Sequence, residues 1–92
     1  MHLIWTATAR KRREAIFDYI AADNPKAALW LDKRFTKGTK QLLIMPNMGR
    51  HGKVPGTREL VVHENYILVY EVRVDTIVIL AIHHSARNYP LA

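Results

Sequence analysis

Thr57-Arg-Glu-Leu-Val-Val-His-Glu-Asn-Tyr-Ile-Leu-Val-Tyr-Glu-Val72 is the stretch that decides the fold. Two runs rich in β-branched and aromatic residues flank His63-Glu64-Asn65, and Asn tolerates the positive φ of a tight turn, so the stretch reads as a β-hairpin. A further run, Ile77 to Ile82, follows Arg73-Val74-Asp75-Thr76 and extends the hairpin into a three-stranded antiparallel meander. Side chains alternate across a strand. Arg58, Leu60 and Val62 therefore share one face, and Glu59, Val61 and His63 share the other. On the next strand Ile67 and Val69 oppose Tyr66, Leu68 and Tyr70. Both faces are largely apolar.

Working back toward the N-terminus, Leu3 to Thr6 reads as a short strand. Thr8 stands where a helix N-cap belongs. From Ala9 to Ala22 the residues Ala9, Ile16, Phe17 and Ile20 fall on one side at helical spacing, opposite Arg10, Lys11, Arg12, Arg13 and Asp18. That basic run reads as a solvated helix face. Asn24 caps a second helix and Pro25 suits its first position. This helix spans Pro25 to Ile44 and buries Ala28, Leu31, Phe35, Thr39 and Leu42, with Lys33, Arg34, Lys37 and Lys40 outside. Gly38 costs about 1 kcal/mol relative to Ala in a helix, and close approach to the first helix is the expected reason for it. The short connection makes the two an antiparallel helical hairpin. Pro46 to Gly56 is a Gly- and Pro-punctuated loop carrying Arg50, His51 and Lys53.

The expected fold is thus α+β: an N-terminal strand, a helical hairpin, then the meander. Two helices cover only one face of such a sheet. The other face is expected to be covered by the tail from His83 onward, by a partner, or to stay exposed.

The chain has 92 residues, which fits one domain over residues 1–92 and one modest core. It has no cysteine, which excludes disulfides and thiolate metal sites and suits a reducing compartment. No stretch reads as a signal peptide or a membrane span, so a cytoplasmic protein with no membrane association is expected. Fourteen Lys and Arg against eight Asp and Glu give a net charge of +6 and a pI near 10.0. Such a field favours acidic partners such as nucleic acid, the ribosome or an acidic protein segment.

In order and spacing, several blocks match a known family: the strand and helical hairpin, the Pro46-Asn-Met-Gly-Arg50 loop, Val54-Pro-Gly-Thr-Arg-Glu-Leu60, Asn65-Tyr-Ile-Leu-Val-Tyr70 and Ile82-His-His-Ser-Ala-Arg-Asn88. Together they resemble the RelE/ParE toxin superfamily, and the Tyr66 to Tyr70 strand and the ending through Pro90 look most like its ParE branch. The resemblance covers nearly the whole chain. It implies the toxin of a type II toxin–antitoxin system, serving plasmid or chromosomal-locus maintenance and neutralised by an acidic antitoxin with an extended C-terminal segment. The ParE branch poisons DNA gyrase and arrests growth; the RelE branch cuts mRNA on the ribosome.

RelE-type nucleases depend on basic residues around the sheet. Arg58 matches the first of these. The second position falls at Ile67, and the terminal Arg falls at or near Ser85, with Arg87 and Tyr89 close by. An Ile cannot stabilise a transition-state phosphate. This departure favours the gyrase-directed branch, with no catalytic residue and no cofactor. Arg50, Lys53, Arg58, His83, Arg87 and Tyr89 are then the residues expected to contact target or partner. The alternative is a ribosome-dependent mRNA endoribonuclease in which His63, His83, Arg58 and Arg87 meet at one sheet edge to supply acid, base and cation. A toxin that has lost activity and survives within an autoregulatory complex is a third reading. A metal site is not expected, since His83 and His84 point apart on their strand.

Overall fold

The computed structural model describes residues 1–85. The chain runs β1 (His2–Trp5), α1 (Ala7–Ala21), α2 (Pro25–Ile44), β2 (Arg50–His51), β3 (Arg58–His63), β4 (Tyr66–Val72) and β5 (Thr76–His84). The expected α+β order holds, with a larger sheet. Five strands are arranged β1-β5-β4-β3-β2, antiparallel except that β1 runs parallel to β5. The central three are the expected meander. On one side β1 is added through a pairing that spans most of the chain. On the other, two residues of the Pro46–Gly56 loop form β2, pairing Arg50 with Glu59 and His51 with Arg58.

The first helix begins two residues earlier than expected because Thr6, not Thr8, is its cap. The Thr6 amide still donates to Ile79 O of β5 (3.0 Å), while its hydroxyl oxygen accepts from the Ala9 amide (3.1 Å). One residue therefore ends the strand and starts the helix, with no loop between. At α2, Asn24 accepts from the Ala27 amide (3.1 Å) and Pro25 takes the first turn, as expected.

Against the sheet, α2 buries Ala28, Leu31, Phe35, Thr39 and Leu42. The core joins Leu31, Phe35 and Leu42 to Ala9 and Ile16 of α1 and to Val62, Leu68, Tyr70, Ile77, Ile79 and Ile82 of the sheet. Gly38 serves a different contact from the one expected. A Cβ there would lie 2.7 Å from Val62 Cγ1 and 3.3 Å from Leu60 Cδ2, so the missing side chain lets α2 close onto β3 rather than onto α1. Arg13, placed by its sequence position in the solvated basic run, is instead turned between the helices. It donates to both Asp32 carboxylate oxygens (2.7 and 3.1 Å) and to Thr36 Oγ1 (2.8 Å), and its guanidinium lies 4.8 Å from the Trp5 ring centroid.

Two register shifts depart from simple alternation. One falls on β3 between Val61 and His63, the other opposite Val69 and Tyr70, where β5 carries an extra residue at Leu80. A bulge puts two residues of one strand opposite one of its neighbour. The first bulge turns His63 from the expected Glu59 face to the helical face, where its ring meets Trp30 of α2. The hairpin turn also closes without a positive φ at Asn65. Its amide instead donates to His63 Nδ1 (3.2 Å), and its carbonyl accepts from Ser85 N (2.8 Å).

On the face away from the helices, Ile67, Val69 and Val78 are buried, while Ile4 and Val61 at its borders remain about half exposed. The centre of that face is therefore not an open apolar surface. The expected tail cover, with Arg87, Tyr89 and Pro90, lies outside the described residues.

Candidate functional site

Two faces of β3 and β4 meet the basic loop. On the helical face, Tyr70 is fully buried and its hydroxyl joins the loop at two points. It donates to Pro46 O (2.8 Å) and accepts from the Gly49 amide (3.0 Å). Burial pushes the phenol above its ordinary range, opposed by the Gly49 hydrogen bond and the nearby Arg58 charge. Arg58 reaches the same segment, with Nη1 donating to Gly49 O (2.8 Å) and Asn47 O (3.2 Å). Gly49 is required by closeness: a Cβ would sit 2.6 Å from the Tyr70 hydroxyl and 2.7 Å from Glu59 O. These contacts fix where β2 and its two exposed side chains, Arg50 and His51, stand.

On the opposite face, Glu59 is buried, its side chain only 3 % exposed, and Arg50 Nε donates to its Oε1 at 2.9 Å. Among the described residues Glu59 Oε2 has no hydrogen-bond partner. A buried carboxylate with one oxygen unmatched is destabilising by itself, so the Arg50 charge is what keeps it tolerable. His83 pairs with Ile67 across the strands on this face. Partial burial and the Arg12 cation hold its imidazole below the ordinary range, and the Glu59 carboxylate opposes them.

The geometry distributes the residues singled out by sequence rather than assembling them. His63 is on the helical face against Trp30, His83 on the other face. Arg58 shares the helical face with His63 but stands at the far end of β3, engaged with loop carbonyls. Arg50 is an exposed cation bound to Glu59, and Lys53 lies exposed in the turn beyond β2. Arg87 and Tyr89 lie outside the described residues. No cluster of metal-ligating side chains occurs among the described residues. Sequence reading passed over Glu59 and Tyr70 as partners of the loop. A carboxylate in an apolar strand is a usable signal for a buried pair, but Tyr70 gives no sign of its hydroxyl contacts.

A family model described as ParE toxin of type II toxin-antitoxin system, parDE, matches residues 3–89. The candidate toxin Y4kP of Sinorhizobium fredii (strain NBRC 101917 / NGR234) is 34% identical over 87 residues, covering 94% of this chain and 90% of that protein. Among solved structures, the chromosomal ParDE TA system from P. aeruginosa superposes with a TM-score of 0.79 and 28% identity, over 91% of this chain and 95% of that one. The conserved hypothetical protein HP0894 from Helicobacter pylori aligns with a TM-score of 0.51 and 15% identity over 95% and 97% of the two chains. That second likeness is one of fold alone.

Proposed function

The chain belongs to the ParE toxin family of type II toxin–antitoxin systems, and from that premise we propose that it acts on DNA gyrase and is held inactive by a cognate antitoxin. The observation that carries this reading is that, among the described residues, the groups an RNase would need stand apart. His63 and His83 stand on opposite sheet faces, Arg58 is tied to backbone carbonyls, and the strand position for a catalytic cation is the buried Ile67. General acid–base cleavage needs its donor and acceptor within about 3 Å of one reacting site. A binding protein has no such requirement.

Neutralisation by an acidic, amphipathic antitoxin segment is supported by the outer surface of α2. There Lys33, Lys37 and Lys40 surround the exposed Ile44 along a shallow depression of about 370 Å³. An acidic helix or strand with one apolar stripe matches that mixture of charge and exposed hydrocarbon. No helix among the described residues is long and apolar enough to cross a membrane.

The test is a supercoiling assay with purified toxin. Gyrase activity should fall and linear cleaved plasmid accumulate, both reversed by stoichiometric antitoxin. Intact supercoiling at micromolar toxin, together with codon-phased cuts in ribosome-bound mRNA, would replace this reading with the endoribonuclease one.

A further inference from the structure

The segment joining α2 to β2 carries an apolar and basic surface that the sheet holds in place from beneath. Ile44, Met45 and Met48 are 79%, 60% and 41% exposed, and Val54, past β2, is half exposed. Met48 N donates to Met45 O (3.1 Å), which turns the chain and keeps the two methionines close together. Single exposed hydrophobic side chains are ordinary on a protein surface. Three within five residues form a patch, and removing such a patch from water favours association.

Four backbone groups of this segment are pinned. The Tyr70 hydroxyl holds Pro46 O and the Gly49 amide, and Arg58 Nη1 holds Asn47 O and Gly49 O. Every one of these anchors is on the main chain, so the side chains of Met48, Arg50 and His51 project outward. Arg50 is bound to Glu59 through Nε, yet its side chain is 61% exposed. From Ile44 to Gly56 the sequence has no Asp or Glu, while Lys40, one turn before Ile44, and Lys53 add positive charge. The surroundings of the two methionines are therefore basic.

We propose that Met45 and Met48, with Arg50 beside them, are the surface this chain seats in its target enzyme, in an apolar cleft bordered by carboxylates. The proposal rests on the reading above that the target is gyrase. Methionine is unbranched and polarizable, so it fills irregular apolar clefts, and the neighbouring cations complement an acidic border. The pinned backbone argues for a folded occupant. An extended antitoxin segment orders itself as it binds, whereas a preformed cleft gains affinity from side chains already held in place. Nor do Met45 and Met48 line the depression along α2 assigned above to the antitoxin. A nucleic acid would use the cations and leave the methionines without a role.

Met45→Gln and Met48→Gln keep the length of these exposed side chains and remove their apolar character, so both should melt close to the parent. With the labelled full chain and purified gyrase holoenzyme, each should weaken binding roughly 5- to 30-fold, the range of an interface anchor. The concentration needed to block supercoiling should rise by the same factor, and binding of the cognate antitoxin should not change. Association should slow as salt rises. Tyr70→Phe alters none of the exposed surface, yet below its melting range it should also bind gyrase more weakly, because a loosened loop must be ordered on binding. Growth arrest on expression gives a readout that does not depend on gyrase. A parent that arrests growth with supercoiling intact would sink the gyrase reading, and loss of arrest in Met48→Gln would still sustain this surface. The proposal is overturned if the double variant Met45→Gln/Met48→Gln arrests growth as the parent does or binds gyrase as tightly as an inhibiting parent. It is overturned equally if the loss falls on antitoxin binding instead, if folded Tyr70→Phe binds undiminished, if a DNA duplex alone shows the same sensitivity to Met48→Gln, or if the parent neither binds gyrase nor arrests growth.

Discussion

Replacing Tyr70 by Phe tests the joint between the sheet and the basic loop. The ring and its packing stay, and only the hydroxyl goes. Two hydrogen bonds are lost with it, the one donated to Pro46 O and the one accepted from the Gly49 amide. Gly49 is buried, and no water replaces the acceptor unless the loop lifts. An amide left without a partner in such a place costs about 1–3 kcal/mol. For a chain of this size each kcal/mol corresponds to about 4–8 °C in Tm, so a fall of roughly 5–20 °C is expected. Calorimetry or circular dichroism melts measure it, and hydrogen exchange should place the loss of protection at Gly49 and β2. Gly49→Ala attacks the same joint from the backbone side, since its Cβ would press on the Tyr70 hydroxyl and Glu59 O. The two changes should therefore be strongly non-additive. A Tm within about 2 °C of the parent for Tyr70→Phe, or simple additivity of the pair, would refute the claim that this hydroxyl clamps the loop.

Gly38→Ala sets a helix-propensity gain of about 1 kcal/mol against overpacking, which costs about 1–3 kcal/mol. Val62 is β-branched and cannot swing away from a Cβ 2.7 Å from its Cγ1, so urea denaturation should show a net loss, turning into a gain when Val62 is also made Ala. Arg13→Met keeps the stem of the side chain but leaves Asp32 and Thr36 without their donor. The pair is partly solvated, so a moderate loss of about 1–2 kcal/mol is expected, and an unchanged melt would show the ion pair to be idle. His83 has its folded-state pKa lowered below 6.5, so the unfolded chain takes up the proton first. Its contribution to stability is thus present above pH 6.5 and lost as pH falls through the folded pKa; His83→Gln should flatten the decline in Tm between neutral and mildly acidic pH.

Local chemistry wrote much of this molecule into its sequence. Asn24-Pro25 fixed the start of α2, and the spacing of Leu31, Phe35 and Leu42 fixed its buried stripe, because both signals act within a turn or two of the residues that carry them. The central meander was readable for the same reason, and so was membership of the toxin family, whose blocks are spread along nearly the whole chain. What escaped depends on residues far apart in sequence. Strand β1 pairs with β5 at the far end of the chain, a contact that no local pattern announces, and β2 is too short to leave a pattern inside a Gly- and Pro-rich loop. The candidate site divides in the same way. Its residue types and positive charge were legible, but their arrangement was not. A bulge at β3 moved His63 to the other face, Arg58 turned to loop carbonyls, and Arg13 left the basic run to bind Asp32. The sequence by itself determined which residues alternate, cap and carry charge. Only the tertiary structure decided which of them meet, because a one-residue shift in strand register reverses a face and long cations go to whichever carbonyl or carboxylate the packed chain brings within reach.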